Sequence, residues 1–123
     1  MSNLMSKFNH GNNVFGIDVS DYKFIKLSEA YQDEKTFPEH MMSVHGLFIN
    51  KKGKFQPHPV AIVDTDNKIA VDLPSHLTDD VQNMLDSDEI VNYIKDGHCG
   101  IKIEPYFSNT WKKNFYGVQW LDI

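Results

Sequence analysis

The chain has 123 residues, of which 41% are apolar and fifteen are aromatic, so it is long enough for one folded domain and too apolar for disorder. Its longest apolar runs are a few residues, which excludes a membrane-spanning helix, and "MSNLMSKFNHGNN" lacks the apolar core of a secretory signal. The single cysteine, Cys99, cannot form an internal disulfide. We therefore expect a cytoplasmic globular protein with one buried, inert thiol.

The formal net charge is −5, and the charges are segregated along the sequence. Residues 64–96 contain nine acidic residues and two lysines, whereas the rest of the chain contains ten lysines and eight acidic residues. All twelve cations are lysines. Because arginine supplies the bidentate fork that reads guanine edges, nucleic-acid binding by this chain should have little sequence specificity.

The first 38 residues contain two short candidate elements. "VFGIDV" has the composition of a short strand, and "KLSEAYQDE" is typical of one or two turns of helix. We interpret residues 1–38 as an irregular N-terminal extension that packs on the rest of the protein.

Three antiparallel strands are predicted from Glu39 onwards. "EHMMSVHGLFIN" is a long strand with an interior glycine, Gly46, which commonly marks a bulge or a sharp bend. "KKGK" then turns the chain into "FQPHPVAIVD", where two prolines come early enough for a strand entrance or an edge. "TDNK" indicates a tight turn into "IAVDLP".

A helix should begin near Thr78, a plausible N-cap that is followed by Asp79 and Asp80, where the helix dipole favours negative charge. "DSDE" interrupts the apolar face, so Ser87 is predicted to cap a second short helix that ends at Gly97. "CGIKIEPYFS" and "FYGVQWLDI" then predict two strands, and "NTWKKN" predicts the hairpin loop between them.

The predicted order is therefore three strands, a helical segment and two strands. This is the order of the OB-fold, a partly open five-stranded barrel with its helix between strands three and four. We expect a mainly β protein with such an OB-fold-like barrel over residues 39–123. A split β-barrel and a β-grasp domain fit the same string of elements.

Two loops of this barrel combine lysines with large aromatic side chains. The loop between strands one and two covers residues 51–54, and the loop between strands four and five covers residues 109–114; in an OB-fold these are ligand loops. Single-stranded nucleic acid needs cations for its phosphates and flat apolar surfaces for its unstacked bases. The candidate binding residues are Lys51, Lys52, Lys54, Phe55, Trp111, Lys112, Lys113, Phe115 and Tyr116.

Packing is the simpler explanation for some of these aromatic residues. Aromatic side chains in strands are mostly core residues, so Phe115, Tyr116 and Trp120 are more often packing residues than ligand contacts. Strand alternation puts Phe115 on one face and Tyr116 on the other, without indicating which face is the core. Trp111 differs, because it lies in a polar loop where strand alternation requires no indole.

No pattern of catalysis or metal binding is evident. The six histidines show no ligand spacing, and the chain has no phosphate loop, no nucleophile elbow and no zinc signature. The carboxylates of residues 64–96 are interpreted as a solvated helix face and turns. We expect a protein without enzymatic activity, metal or cofactor.

Three segments, "HGLFINKKGKF", "VDLPSHLTDDVQNML" and "YGVQWLDI", resemble the small single-stranded-DNA-binding proteins encoded by phages and mobile elements of low-GC Gram-positive bacteria. The resemblance covers about residues 39–123. It implies an OB-fold, a location in the bacterial host cytoplasm, and the coating of exposed single-stranded DNA during phage replication or recombination. It also implies a dimer or a higher oligomer, and phage or host replication or recombination proteins as partners.

An alternative function uses the acidic segment. The residues Asp79, Asp80, Asp86, Asp88 and Glu89 form an acidic patch on the predicted helices. Such a patch suits a phage-encoded protein that mimics DNA and occupies a basic groove of a host nucleic-acid enzyme, for example a CRISPR nuclease. The two functions differ in which surface is active.

Overall fold

The structure is a computed structural model that describes residues 15–51 and 57–123. These residues form a mainly β architecture of seven strands in two sheets, with three α-helices. The strands are β1 (Lys23–Lys26), β2 (Met41–Ser43), β3 (Gly46–Asn50), β4 (His58–Asp64), β5 (Ile69–Asp72), β6 (Cys99–Ser108) and β7 (Lys113–Asp122). The helices are α1 (Leu27–Gln32), α2 (Thr78–Leu85) and α3 (Asp88–Lys95).

The predicted long first strand divides into β2 and β3, which belong to different sheets. The change of sheet occurs between two adjacent residues: the amide of Val44 donates to the carbonyl of Cys99 (2.8 Å), and the amide of His45 donates to the carbonyl of Ile62 (2.7 Å). Gly46 directly follows this change of sheet, and its lack of a side chain allows close packing there, because a Cβ would lie 3.2 Å from the Ile62 side chain. The interior glycine therefore marks a sharp bend, as the sequence predicted.

The first sheet has the strand order β1-β5-β4-β3. The pairs β3–β4 and β4–β5 are antiparallel, in agreement with the predicted strands, whereas β1 pairs with β5 in parallel. The prediction of a strand over "VFGIDV" is wrong for the residues of that segment that the structure describes, because residues 15–19 contain no strand. Ile17 and Val19 instead pack on the outer side of this sheet, against Phe48 and its neighbours.

The second sheet has the order β2-β6-β7 and is antiparallel throughout. The main core lies between the two sheets and the helices, and its side chains include the buried Leu47, Val71, Val81 and Ile101. The segment expected as an N-terminal extension supplies β1 and also core residues, namely Ile25, Leu27, Ala30 and Phe37. Residues 23–37 therefore share the core of the strands that follow them.

The helical segment is interrupted where the sequence predicted. The hydroxyl of Ser87 accepts a hydrogen bond from the amide of Ile90 (3.3 Å), which confirms Ser87 as the N-cap of α3. Gly97 has a φ of +83°, a conformation that favours glycine and stops the helix. Thr78 is not an N-cap: α2 continues a short 3₁₀ turn (Ser75–Leu77), and the Thr78 hydroxyl donates to the carbonyl of Ser75.

Among residues 15–51 and 57–123 no closed barrel is found, and the five-stranded OB-fold is not confirmed. One difference from the prediction explains this. β1 pairs with the edge of β5, so no strand of the second sheet pairs there. The two sheets consequently remain separate, with an order of β1-β5-β4-β3 in one and β2-β6-β7 in the other.

Candidate nucleic-acid interface

The β6–β7 hairpin extends beyond the sheet to which it belongs. Its ten-residue strands are paired from Cys99 and Asp122 to Ser108 and Lys113. The third strand, β2, is much shorter and ends opposite Lys102. From Ile103 onwards the hairpin therefore continues as a two-stranded ribbon, which consists of residues 103–108, the loop 109–112 and residues 113–118.

Pro105 fits the edge of this ribbon. Antiparallel strands alternate between residues that exchange backbone hydrogen bonds and residues whose peptide groups point away from the partner. The amide of Ile123 donates to the carbonyl of His98 (2.9 Å), so His98 directs its carbonyl towards β7. Because the pattern alternates, the even-numbered residues of β6 direct their peptide groups towards β7. Pro105 is odd-numbered and lies beyond the end of β2, so the strand loses no ladder hydrogen bond there.

Two aromatic rings and a lysine lie together on one face of the ribbon, here called the outer face. Tyr106 and Phe115 are directly opposite each other, with ring centroids 5.8 Å apart and ring planes at 25°. The Nζ atom of Lys113 lies 5.2 Å from the centroid of Phe115, within the range of a cation–π contact. The Tyr106 ring also covers Gly117, which has no side chain to displace it.

The loop at the end of the ribbon presents Trp111 to solvent. Its indole is 71% exposed, the largest exposure among the bulky apolar side chains that the structure describes. The loop is held by Ser108, whose carbonyl accepts the Lys112 amide (2.7 Å) and whose hydroxyl accepts the Trp111 amide (3.3 Å). Lys112 takes a left-handed conformation (φ 52°) in this turn. Lys112 and Lys113, the two residues that follow Trp111, are both exposed.

Tyr116 lies on the opposite face, where it packs against the core. Its ring contacts the ring of Tyr31, with centroids 5.2 Å apart, and Val118 and Trp120 of the same face also pack on the core. Alternation left open which face of β7 is covered, and the structure assigns the core to the Tyr116 face. Tyr116 is therefore not on the face that carries Phe115, although both were predicted as binding residues.

Two exposed aromatic residues of the ribbon were not singled out from the sequence. Tyr106 is 47% exposed and Phe107 is 57% exposed. The signal was present in "EPYFS", because adjacent residues of a strand point to opposite faces and two successive aromatic residues cannot both face one core. Together with Trp111 they give the ribbon three large exposed aromatic side chains.

The second predicted loop is only partly described. Lys51 is exposed directly after β3, while Lys52, Lys54 and Phe55 lie outside the described residues. Between the ribbon and the first sheet there is a cleft of about 350 Å³, which has Phe115 on one wall and Lys26 on the other. Lys26 is thus a further exposed cation near the outer face.

The titratable groups of the described residues were compared with the requirements of a metal site. No group of three or more His, Cys, Asp or Glu side chains that could hold a metal ion is found in the described part of the chain. A groove of about 480 Å³ contains Asp64, but its carboxylate accepts hydrogen bonds from the backbone and side-chain amides of Asn67 and from the backbone amide of Asp66, and these bonds lower its pKa. Burial raises the pKa of the Cys99 thiol to about 11, which makes it a poor nucleophile.

Within residues 15–51 and 57–123, none of the helices has the length and apolarity needed to cross a membrane. No protein-family model matches this chain, and neither a characterised protein nor a solved structure is significantly similar to it.

Proposed function

We propose that this protein binds single-stranded DNA through the ribbon, with little sequence specificity. The observation that supports the proposal is the exposure of Tyr106, Phe107 and Trp111 at one end of a hairpin that also carries Lys112 and Lys113. Large aromatic side chains rarely remain exposed together without a partner. Here they occur beside cations, which is the combination that unpaired bases and phosphates require.

The geometry of the outer face suits base stacking. The stacked rings of Tyr106 and Phe115 form a flat apolar surface, and Trp111 adds a second one at the loop. Stacking of a base on an aromatic side chain contributes about 1–3 kcal/mol and tolerates any base. Lys112 and Lys113 would neutralise phosphates on either side of the stacked bases, and the lack of arginine argues against guanine readout.

We further propose that the two sheets are a variant of the OB-fold. Support comes from the bent strand β2–β3 that both sheets share, the antiparallel order β3–β4–β5, and the helices between β5 and β6. In this interpretation, pairing of β7 with the edge of β5 would close the barrel. Here β1 occupies that edge of β5 instead. The ribbon loop then corresponds to one of the two OB-fold ligand loops. The resemblance to phage single-strand binders supports a role in replication or recombination.

Fluorescence anisotropy with a labelled oligo-dT tests the proposal directly. We expect saturable binding that weakens as salt rises, and about five-fold or more weaker binding for Trp111→Ala. Lys95→Glu is a matched control for lysine reversals in the ribbon, because Lys95 is an exposed lysine at the end of α3. Absence of binding at low salt would contradict the proposal.

A second candidate function rests on the acidic helices. The side chains of Asp79, Asp80, Asp86, Asp88 and Glu89 are all exposed on or beside α2 and α3, as a surface for a basic partner requires. This surface suits a DNA-mimicking inhibitor of a host nucleic-acid enzyme. Lys112→Glu combined with Lys113→Glu separates the two functions: it should abolish oligonucleotide binding and leave any complex made by the acidic helices intact.

A further inference from the structure

The cleft between the ribbon and the first sheet is formed by three separate segments of the chain. Residues 114–116 of β7 form one wall, and residues 26–28 and 72–74 form the other. Residues 26–28 lie in the segment that the sequence indicated as an extension, and the parallel pairing of β1 with β5 places them beside residues 72–74. The volume of about 350 Å³ lies at the lower end of the range for small-ligand pockets.

The lining of the cleft combines apolar residues with one cation. Its apolar residues are Leu27, Leu73, Pro74, Phe115 and Tyr116. The cation is Lys26, which is exposed and has no ion pair among the residues that the structure describes. Asp72 also lines the cleft, but its carboxylate accepts a hydrogen bond from Nε2 of His58 (3.1 Å). A nucleotide has the matching combination, because a flat apolar base is joined to an anionic phosphate.

Phe115 belongs to both the outer face of the ribbon and the cleft. Its ring stacks on the ring of Tyr106, with centroids 5.8 Å apart, and the same residue lines the cleft. The Nζ atom of Lys113 lies 5.2 Å from the centroid of Phe115, so a cation is present where the strand would leave the outer face. A strand that stacks on the outer face therefore passes the opening of the cleft, and its next base can enter.

We infer that the cleft holds one unstacked base of the bound strand, with Lys26 at the adjoining phosphate, and that this base pocket makes the protein prefer single strands to duplexes. A base in a duplex must leave its partner and its stacked neighbours before it enters a pocket, and this cost is smallest for a strand that is already single. The inference rests on the proposed function and assigns its strand selectivity to a defined part of the fold.

The ribbon by itself discriminates less between the two forms of DNA. Its lysines attract the phosphates of single strands and of duplexes alike, because this attraction does not depend on base pairing. The exposed rings of Tyr106 and Trp111 can also stack on the end of a duplex, whereas a cleft with two walls admits a base only when that base is unpaired. Strand selectivity should therefore depend on the cleft.

Ser28→Leu tests the pocket without changing a charge. Ser28 is a half-buried cleft residue of α1, and leucine, a good helix former, puts a larger side chain into the cleft. We expect the affinity for oligo-dT to fall about fivefold or more, and the affinity for a duplex of the same length to stay within about twofold of wild type. An unchanged affinity for oligo-dT, or an equal loss for both ligands in a folded variant, would overturn the inference.

Lys26→Glu and Lys23→Glu are a matched pair that does not depend on filling the cleft. The two exposed lysines are the first and last residues of β1, and only Lys26 lines the cleft. Lys26→Glu should weaken oligo-dT binding about fivefold more than Lys23→Glu, while the two variants should weaken duplex binding to a similar extent. Equal effects of the two reversals on oligo-dT binding would contradict the proposed pocket.

Photo-cross-linking of the wild-type chain separates failure of this inference from failure of the proposed function. Oligo-dT that contains iodouracil is irradiated in the complex, and the cross-linked peptides are identified by mass spectrometry. We expect cross-links to Tyr116 or to residues 72–74, in addition to cross-links to Trp111. Cross-links to Trp111 and Tyr106 alone would overturn the pocket and leave the proposed function intact, whereas a wild-type chain that does not bind oligo-dT would contradict both.

Discussion

The ring of Tyr106 stacks across the hairpin on the ring of Phe115, with centroids 5.8 Å apart, on the face of the ribbon that points away from the core. The pair is formed by direct cross-strand neighbours, so the ladder register fixes its geometry. Tyr106 is nevertheless 47% exposed, which leaves much of its ring available for a ligand.

Tyr106→Ala should weaken both oligonucleotide binding and folding, to different extents. Loss of a stacking surface should reduce the binding free energy by about 1–3 kcal/mol. Loss of the aromatic pair should reduce the free energy of unfolding by only about 0.5–1.5 kcal/mol. Anisotropy titrations and urea unfolding measure the two quantities, and Tyr106→Phe, which keeps the ring, should retain most of both.

Trp111→Ala should affect binding without affecting folding. Because the indole is 71% exposed, its removal leaves no cavity, and the melting temperature should stay within about 1 °C of wild type. Binding should weaken by about 1–3 kcal/mol. A thermal melt that shows a loss of about 3–5 kcal/mol in stability would mean that the indole is buried in solution.

The salt dependence of binding reports the phosphates that the lysines neutralise. If three or four phosphates are contacted, the slope of log K against log salt should be about −2 to −3 for a single strand. Reversal of Lys112 and Lys113 to glutamate should reduce the magnitude of the slope and abolish measurable affinity at moderate salt. Affinity that does not change between low and high salt would contradict the electrostatic part of the proposal.

Ser87→Ala should destabilise the protein without changing its binding. The Ser87 hydroxyl caps α3 through the amide of Ile90, and loss of an N-cap costs about 0.5–2 kcal/mol. Urea unfolding should therefore have a lower midpoint with an unchanged m-value. Ser87→Asp, which restores an acceptor at the cap, should recover most of the loss.

Cys99 should make stability depend on pH at alkaline values. Burial, with a smaller effect of Asp122, raises the pKa of the thiol from 9.0 to about 11. The folded chain then holds this proton more tightly than the unfolded chain. The contribution to the free energy of unfolding is complete below pH 9 and falls between about pH 9 and pH 11. Cys99→Ala should remove this component of the pH profile, measured by urea unfolding against the wild type.

The sequence determined the local features of this protein. Ser87 and Gly97 delimit a helix because capping and a left-handed conformation depend on a few neighbouring atoms. The β6–β7 hairpin was predictable for the same reason, since period-two apolar runs flank a polar loop. The sequence also placed Trp111 in that loop, but only the structure shows that it is exposed.

Only the tertiary structure decided how these elements are combined. Alternation divides β7 into a Phe115 face and a Tyr116 face, but the choice of the buried face depends on Tyr31, which is distant in sequence. The parallel pairing of β1 with β5 likewise joins segments that local propensity cannot relate. The ribbon exists because β2 ends opposite Lys102, and the length of a strand's partner is a property of the assembled sheet.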